Sequence, residues 1–134
     1  MTLQVRLWDA TGEMEIKGTR GALLRLADLL RGTKGQLELD RNPRPHPYDA
    51  SLARIEFEET SGLVVAFASD DSECMEVSGG RESLDLLAAN LQTFAAEAGL
   101  DSHLHIEYLP DGGYVSEESD PLIIALADDG LGGS

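Results

Sequence analysis

The chain has a single cysteine, and the absence of a second one excludes an internal disulfide. A lone thiol, here Cys74, is typical of proteins in a reducing compartment. No apolar run approaches the roughly 20 residues that a membrane helix needs. Residues 1–18 also lack the basic start and the apolar block of a signal peptide. We therefore expect a cytoplasmic protein that does not insert into a membrane.

Motifs of common catalytic chemistry are missing as well. The glycines form neither a Gly-x-x-x-x-Gly-Lys nor a Gly-x-Gly-x-x-Gly pattern, so nothing supports ATP or a dinucleotide as cofactor. Cys74 has acidic residues around it in the sequence, which raise the pKa of a thiol and disfavour the nucleophilic thiolate. We expect no cofactor, and we do not expect an enzyme.

Basic residues are scarce. Ten lysines and arginines stand against 25 aspartates and glutamates, which gives a formal net charge of −15 and an isoelectric point near 4.3. A field of this sign repels nucleic acid and anionic membranes, and it speeds the approach of basic proteins. We therefore expect a basic protein partner and no binding to nucleic acid or membrane. Solubility alone is the simpler explanation of the same charge.

The length of 134 residues fits one domain. Apolar residues recur at helical spacing over 20–31 and 81–98. Segments typical of strands, most of them alternating polar and apolar residues, lie at 3–8, 13–18, 36–40, 52–59, 63–69, 74–78, 103–109 and 122–126. Two helices with mostly antiparallel strands indicate an α+β domain over 1–127, with both helices on one face of a sheet. We expect the tail, 128–134, to be disordered.

The two halves of the chain resemble each other when the sequence is shifted by 61 residues. EMEIKGTRGALLRLADLL at 13–30 aligns without a gap with CMEVSGGRESLDLLAANL at 74–91. The shared Met-Glu-aliphatic-x-Gly-x-Arg pattern is more than a common hydrophobic period supplies. We predict an internally duplicated strand-strand-helix-strand-strand unit, with repeats at about 1–60 and 61–127.

Polar side chains occupy the strand faces that the helices are expected to leave open. Trp8 lies in the polar phase of its strand, and an exposed tryptophan is a favoured anchor in protein interfaces. Most other side chains on this face are acidic, which suits a basic partner. The residues that we predict to bind a partner are Trp8, Glu13, Glu15, Glu38, Asp40, Glu56, Glu58, Glu76, His103, His105, Glu107 and Tyr114.

A different hypothesis for part of this face is a metal site. His103, His105 and Glu107 alternate along one segment, so a strand would present all three on the same side. Two imidazoles and a carboxylate are the ligands of several zinc and non-haem iron sites. The protein would then be a metal-binding protein or a metal-dependent enzyme. An exposed polar strand face explains the same residues without a metal.

The segment 63–69, LVVAFAS, is apolar in both strand phases. Such a strand is either central in a sheet or an edge that pairs with another chain, so a homodimer or ring through 63–69 is a further hypothesis. The duplicated strand–helix–strand plan also resembles a sliding-clamp domain in architecture. Clamps need basic helix faces toward DNA, whereas the second helix here offers Arg81 against Glu82, Asp85 and Glu97.

The sequence from 103 to 126, HLHIEYLPDGGYVSEESDPLIIAL, resembles family 32 of the immunity proteins of bacterial polymorphic toxin systems. The features that carry the resemblance are His-x-His-x-Glu-Tyr, a Pro/Gly loop with a tyrosine, and Ser-x-Pro-Leu-Ile. The preceding helix also fits, so the resemblance covers about 75–126. It implies a small non-enzymatic protein that binds a toxin domain and blocks it. An acidic face would suit a basic toxin.

Overall fold

The computed structural model describes residues 3–8, 10–41, 50–71 and 73–127. The predicted tail at 128–134 lies outside the described residues. The elements found in these ranges, in chain order, are β1 (Leu3–Trp8), β2 (Glu13–Gly18), α1 (Arg20–Leu30), β3 (Lys34–Glu38), β4 (Ala50–Ser51), β5 (Arg54–Glu59), β6 (Val65–Ala68), β7 (Cys74–Gly79), α2 (Arg81–Glu97), β8 (His103–Ile106) and β9 (Leu122–Leu126). The predicted α+β class is confirmed.

Each helix forms where an apolar stripe follows a suitable start residue. Thr19 is the N-cap of α1, and its hydroxyl accepts a hydrogen bond of 3.2 Å from the Ala22 N–H. Gly80 precedes α2 without a side-chain cap, and Glu82 lies in the first turn, where the helix dipole favours a negative charge. The buried residues of the two helices are Ala22, Leu23, Leu26, Ala27 and Leu30 in α1 and Ser83, Leu84, Leu87, Ala88, Leu91, Phe94 and Ala95 in α2.

The strands form two sheets rather than the single sheet that the alternation predicts. Sheet 1 has the order β4-β1-β2-β9-β8, and sheet 2 has the order β3-β5-β7-β6. Neighbouring strands are antiparallel except for β2 with β9 and β5 with β7, which are parallel. The two helices pack against each other, and the apolar faces of both sheets join them in one core. Each sheet therefore has one buried face and one outer face.

The order of the strands has the symmetry that a duplication would require. A shift of 61 residues carries β1 and β2 onto β6 and β7, so β1-β2-β9-β8 in sheet 1 corresponds to β6-β7-β5-β3 in sheet 2. The registers correspond too: Met14 lies beside Leu122 in one parallel pair, and Met75 lies beside Ile55 in the other. The duplication itself stays a hypothesis, with which this arrangement agrees.

Two arginines at equivalent positions hold the helices together. Arg20, at the start of α1, donates to the carbonyls of Ala95 and Ala98 at the end of α2, over 2.6 and 2.8 Å. Arg81, at the start of α2, donates to the carbonyls of residues 30–32 at the end of α1. The last carbonyls of a helix have no partner inside it, and a cation there also complements the helix dipole. An arginine at the start of each helix thus donates hydrogen bonds to the C-terminal carbonyls of the other helix.

Candidate partner-binding face

The predicted partner-binding residues do not share one surface. Trp8, Glu13, Glu15, His103 and His105 belong to sheet 1, whereas Glu38, Glu56, Glu58 and Glu76 belong to sheet 2, and Asp40, Glu107 and Tyr114 lie in connections. The expectation of one broad acidic face is therefore wrong. Alternation along a strand predicts which side a residue takes, but it does not say which strands pair.

The outer face of sheet 2 is acidic, open and concave. Strand pairing places Gln36 beside Glu56, Glu56 beside Glu76, and Glu76 beside Phe67, so these four side chains form a row across all four strands. Lys34, Glu58 and Ser78 form the row next to it. The rows line a depression of about 430 Å³.

Phe67 gives this acidic face an exposed apolar side chain. Its side chain is 40% exposed, although aromatic side chains of this size are usually covered. Because Phe67 lies beside Glu76 at one end of the row, a partner could bury an apolar group there while basic groups meet the carboxylates. Phe67 is not among the residues that the sequence predicts to bind a partner. The apolar character of 63–69 in both strand phases was the signal that could have identified it.

Charges on the same face leave an excess of carboxylate. Arg54 Nε donates to Glu56 Oε2 over 2.6 Å, and this hydrogen bond, with a weaker one from Cys74, lowers the pKa of the Glu56 carboxyl. Glu58 and Glu76 are both exposed. Four glutamates (38, 56, 58 and 76) against Lys34 and Arg54 leave this face with a net charge of −2. It therefore attracts cationic groups.

Cys74 lies at the edge of this face, and it is not available as a nucleophile. The residue is only 3% exposed, and its thiol donates to Glu56 Oε2 over 3.3 Å. Burial, followed by the contact with the Glu56 carboxylate, raises the pKa of the thiol from 9.0 to about 11. This agrees with the expectation from the acidic residues around it. At neutral pH the side chain is a small neutral group.

The outer face of sheet 1 has a different electrostatic character. Arg6 lies beside Glu15 on the paired strands β1 and β2, and its guanidinium donates to Glu15 Oε1 through both Nε and Nη2. Glu15 is 8% exposed, so its carboxylate lies in an ion pair rather than on an open surface. Trp8, at the end of β1, is 41% exposed. This face is neutral overall, because Arg6 and Lys17 balance Glu13 and Glu15.

The histidines lie at the far edge of sheet 1. His103 and His105 are exposed on β8, where they pair with Ala125 and Ile123 of β9. The strand ends at Ile106, so Glu107 does not continue it. Among the residues that the structure describes, no group of three or more His, Cys, Asp or Glu side chains is arranged to hold a metal ion. Within the described part of the chain, no third ligand therefore lies beside these imidazoles.

Tyr114 belongs to the segment that covers the edge of sheet 2. Its hydroxyl accepts a hydrogen bond of 2.7 Å from the Asn90 side chain of α2, and its burial raises the pKa of the phenol. Its carbonyl accepts from the Val64 N–H over 2.8 Å. Tyr114 therefore joins the loop to α2 and β6, and only part of its side chain is accessible to a partner.

The same segment bears on the dimer hypothesis for 63–69. Val64 exchanges backbone hydrogen bonds of 2.8 Å with the segment 114–120, and Ala66 accepts one of 2.9 Å from the Asp120 N–H. These are the backbone groups of β6 that point away from β7. An edge-to-edge dimer through 63–69 would have to displace the segment first.

The comparison with family models concerns the second half of the chain, from Met75 in β7 through α2, β8 and β9. Residues 75–127 match the family model of immunity protein 32. This confirms the resemblance predicted for the second half of the chain. The match covers 53 of the 134 residues and includes Glu76, whereas Glu56, Glu58 and Phe67 lie outside it. Neither the curated proteins nor the solved structures gave a match to this chain. None of the helices among the described residues is long and apolar enough to cross a membrane.

Proposed function

We propose that this protein is a cytoplasmic immunity protein that neutralises a basic toxin domain by binding it with the outer face of sheet 2. The family match over 75–127 supports an immunity protein in general. The observation that supports this face in particular is the row Gln36, Glu56, Glu76 and Phe67, which combines exposed carboxylates with an exposed aromatic ring.

The charge of the whole chain and the charge of the face act at different stages of binding. A net charge of −15 draws a basic protein toward the molecule from a distance. The local carboxylates of Glu56, Glu58 and Glu76 then orient it, and those of Glu58 and Glu76 are exposed. Phe67 supplies apolar area that is buried only in the complex, which slows dissociation. Inhibition follows from covering the toxin's basic surface, without turnover.

The first test is recovery and reconstitution of the partner. The untagged protein is purified from its own host at natural abundance and measured by native mass spectrometry, where a complex with one basic polypeptide is expected. That polypeptide is then expressed in a second bacterium with and without this protein. We expect growth arrest when it is expressed alone and growth when both are present. Growth that is equally poor in both cultures would reject the proposed function.

A variant pair locates the activity on the molecule. Glu58→Lys with Glu76→Lys changes two exposed residues of sheet 2, and we expect this protein to protect the culture less well. Glu13→Lys with Glu107→Lys makes the same change of net charge away from sheet 2 and serves as the matched control. Equal protection by both variants would remove sheet 2 from the proposal.

A further inference from the structure

Among the residues that the structure describes, sheet 2 has one covered edge and one open edge. The β6 edge is covered by the segment 114–120. At the other edge, the hydrogen bonds from Glu59 N to Thr33 O (2.7 Å) and from Leu39 N to Ala53 O (2.9 Å) fix the register of β3 with β5. Residues 33, 35, 37 and 39 therefore point their backbone groups toward β5.

The other residues of β3 point their backbone N–H and C=O groups away from β5. These are Lys34, Gln36 and Glu38, all of them exposed. In the ranges that the structure describes, their N–H and C=O groups have no backbone partner. An edge of this kind is a template for an added strand.

The two sides of this edge differ, and the difference defines what could pair with it. On the outer side an added strand would run beside Lys34, Gln36 and Glu38, with Arg54, Glu56 and Glu58 on the next strand, so three carboxylates stand against two cations. On the inner side it would run beside Leu37, which is only partly buried against the core. Because successive side chains of a strand alternate between faces, the complementary strand alternates basic and apolar residues.

We propose that the toxin is bound by addition of one of its strands to β3, as an extended segment that alternates basic with apolar side chains. This inference rests on the proposed function and specifies how its site works. A second copy of this chain is the competing occupant, because antiparallel pairing of β3 with β3 would set Lys34 of each copy opposite Glu38 of the other. Sedimentation at the concentration of the NMR sample separates the two, since a monomer is expected and a dimer that Gln36→Pro abolishes would overturn the inference. The added strand continues sheet 2, so its basic residues extend the row beside Glu56.

The probe that tests this arrangement is a blocked eight-residue peptide that alternates lysine with valine. We expect it to slow the exchange of the Lys34, Gln36 and Glu38 amides with water by at least about tenfold, measured residue by residue by NMR. The amides of Gly35 and Leu37 already bond to β5 and should change little. This alternation is the signature of a paired strand, which docking on the face alone would not produce. The control peptides have four lysines followed by four valines, or alternate glutamate with valine.

A pair of variants tests the same edge, so that the inference does not depend on the composition of one peptide. Gln36→Pro removes an outward N–H and leaves the ladder to β5 intact, since proline is tolerated on edge strands. We expect it to weaken peptide binding by about tenfold or more. His105→Pro is the matched control, because no described strand lies beyond β8 in sheet 1 and His105 likewise points its backbone away from β9. Should Gln36→Pro fail to fold, Glu38→Pro at the end of β3 replaces it.

Two outcomes with the peptide would also overturn the inference. The peptide could shift the resonances of Glu56 and Phe67 without slowing the three amides, which would mean that it lies flat on the face. It could also leave the spectrum unchanged at millimolar concentration, which would mean that the edge takes no strand. The growth assay does not depend on either result, so failure of strand addition and failure of the proposed function are distinguished.

Discussion

The outer faces of the two sheets are built from equivalent positions but have different properties. Arg6 lies beside Glu15 in sheet 1, and 61 residues later Phe67 lies beside Glu76 in sheet 2. The arginine neutralises the first glutamate, which is buried, and is itself mostly covered. The phenylalanine cannot neutralise the second, and both remain exposed. The same pair of strand positions therefore holds an ion pair in one sheet and, in the other, leaves exposed the surface that we propose for the partner.

The next strand of each row increases this difference. Glu15 has Ile123 on its other side, whereas Glu76 has Glu56. The row in sheet 1 is thus neutral, and the row in sheet 2 is doubly acidic with an aromatic end. What the two sheets share, above all the reciprocal contacts of Arg20 and Arg81, belongs to the fold. What they do not share identifies the face that we assign to the partner.

Truncation of the two equivalent residues should lower stability by very different amounts, and this is the largest effect that we expect. Arg6→Ala leaves the Glu15 carboxylate buried without its guanidinium, so we expect the free energy of unfolding to fall by about 2–4 kcal/mol. Phe67→Ala removes an exposed ring and should cost less than about 1 kcal/mol. Denaturant unfolding measures both values.

For affinity toward the recovered toxin we expect the reverse order, with the larger effect from Phe67→Ala and the smaller from Arg6→Ala. We expect Phe67→Ala to raise the dissociation constant by about tenfold or more, because it removes an apolar anchor. Arg6→Ala, measured below its unfolding transition, should bind nearly as well as the natural protein. If Arg6→Ala lost binding and Phe67→Ala kept it, the assignment of the two faces would have to be exchanged.

The shared arginines provide the second comparison. Arg81→Ala removes the donors to the carbonyls of residues 30–32 and the ion pair with Glu59, so we expect a loss of about 1–3 kcal/mol in unfolding free energy. Arg20→Ala should cost somewhat less, since it has two carbonyl partners. Arg25→Ala, on the exposed side of α1, is the control and should change little. Equal stability of all three variants would contradict the reciprocal capping.

The sequence predicted the helices well but the pairing of strands poorly, because the pairing depends on residues far apart along the chain. Apolar periodicity placed the helices at 20–31 and 81–98, and the structure has them at Arg20–Leu30 and Arg81–Glu97. Periodicity depends on neighbours along the chain. The division into two sheets depends on the pairing of β2 with β9, which lie about a hundred residues apart, and no local pattern specifies that contact.

The candidate site was predicted in the same uneven way. The acidic residues of sheet 2 were identified because they alternate with apolar ones, as at Glu56 and Glu58. The burial of Glu15 was not predicted, since it depends on the register that brings Arg6 beside it. The exposure of Phe67 was not predicted either, because an aromatic residue in an apolar segment suggests a core position.

Charge reversal should have a smaller effect that separates local from overall charge. Glu58→Lys with Glu76→Lys and Glu13→Lys with Glu107→Lys each change the net charge from −15 to −11, since every replacement adds two charges. We expect the first variant to associate with the recovered toxin about tenfold more slowly at low salt, and the second only a few times more slowly. Stopped-flow fluorescence measures both rates. Equal slowing would mean that net charge alone, rather than sheet 2, guides association.

The effect that vanishes at neutral pH concerns another equivalent pair, Glu13 in sheet 1 and Cys74 in sheet 2. The pKa of the Cys74 thiol is raised from 9.0 to about 11, so between these values the folded protein keeps a proton that the unfolded chain has lost. Stability should therefore fall as pH rises from about 9 to 11, with a slope of at most one proton. Cys74→Ala removes this contribution, and the difference between the two unfolding curves cancels the titration of lysines and tyrosines. A difference independent of pH would show that burial and the contact with the Glu56 carboxylate do not hold the thiol in its neutral form.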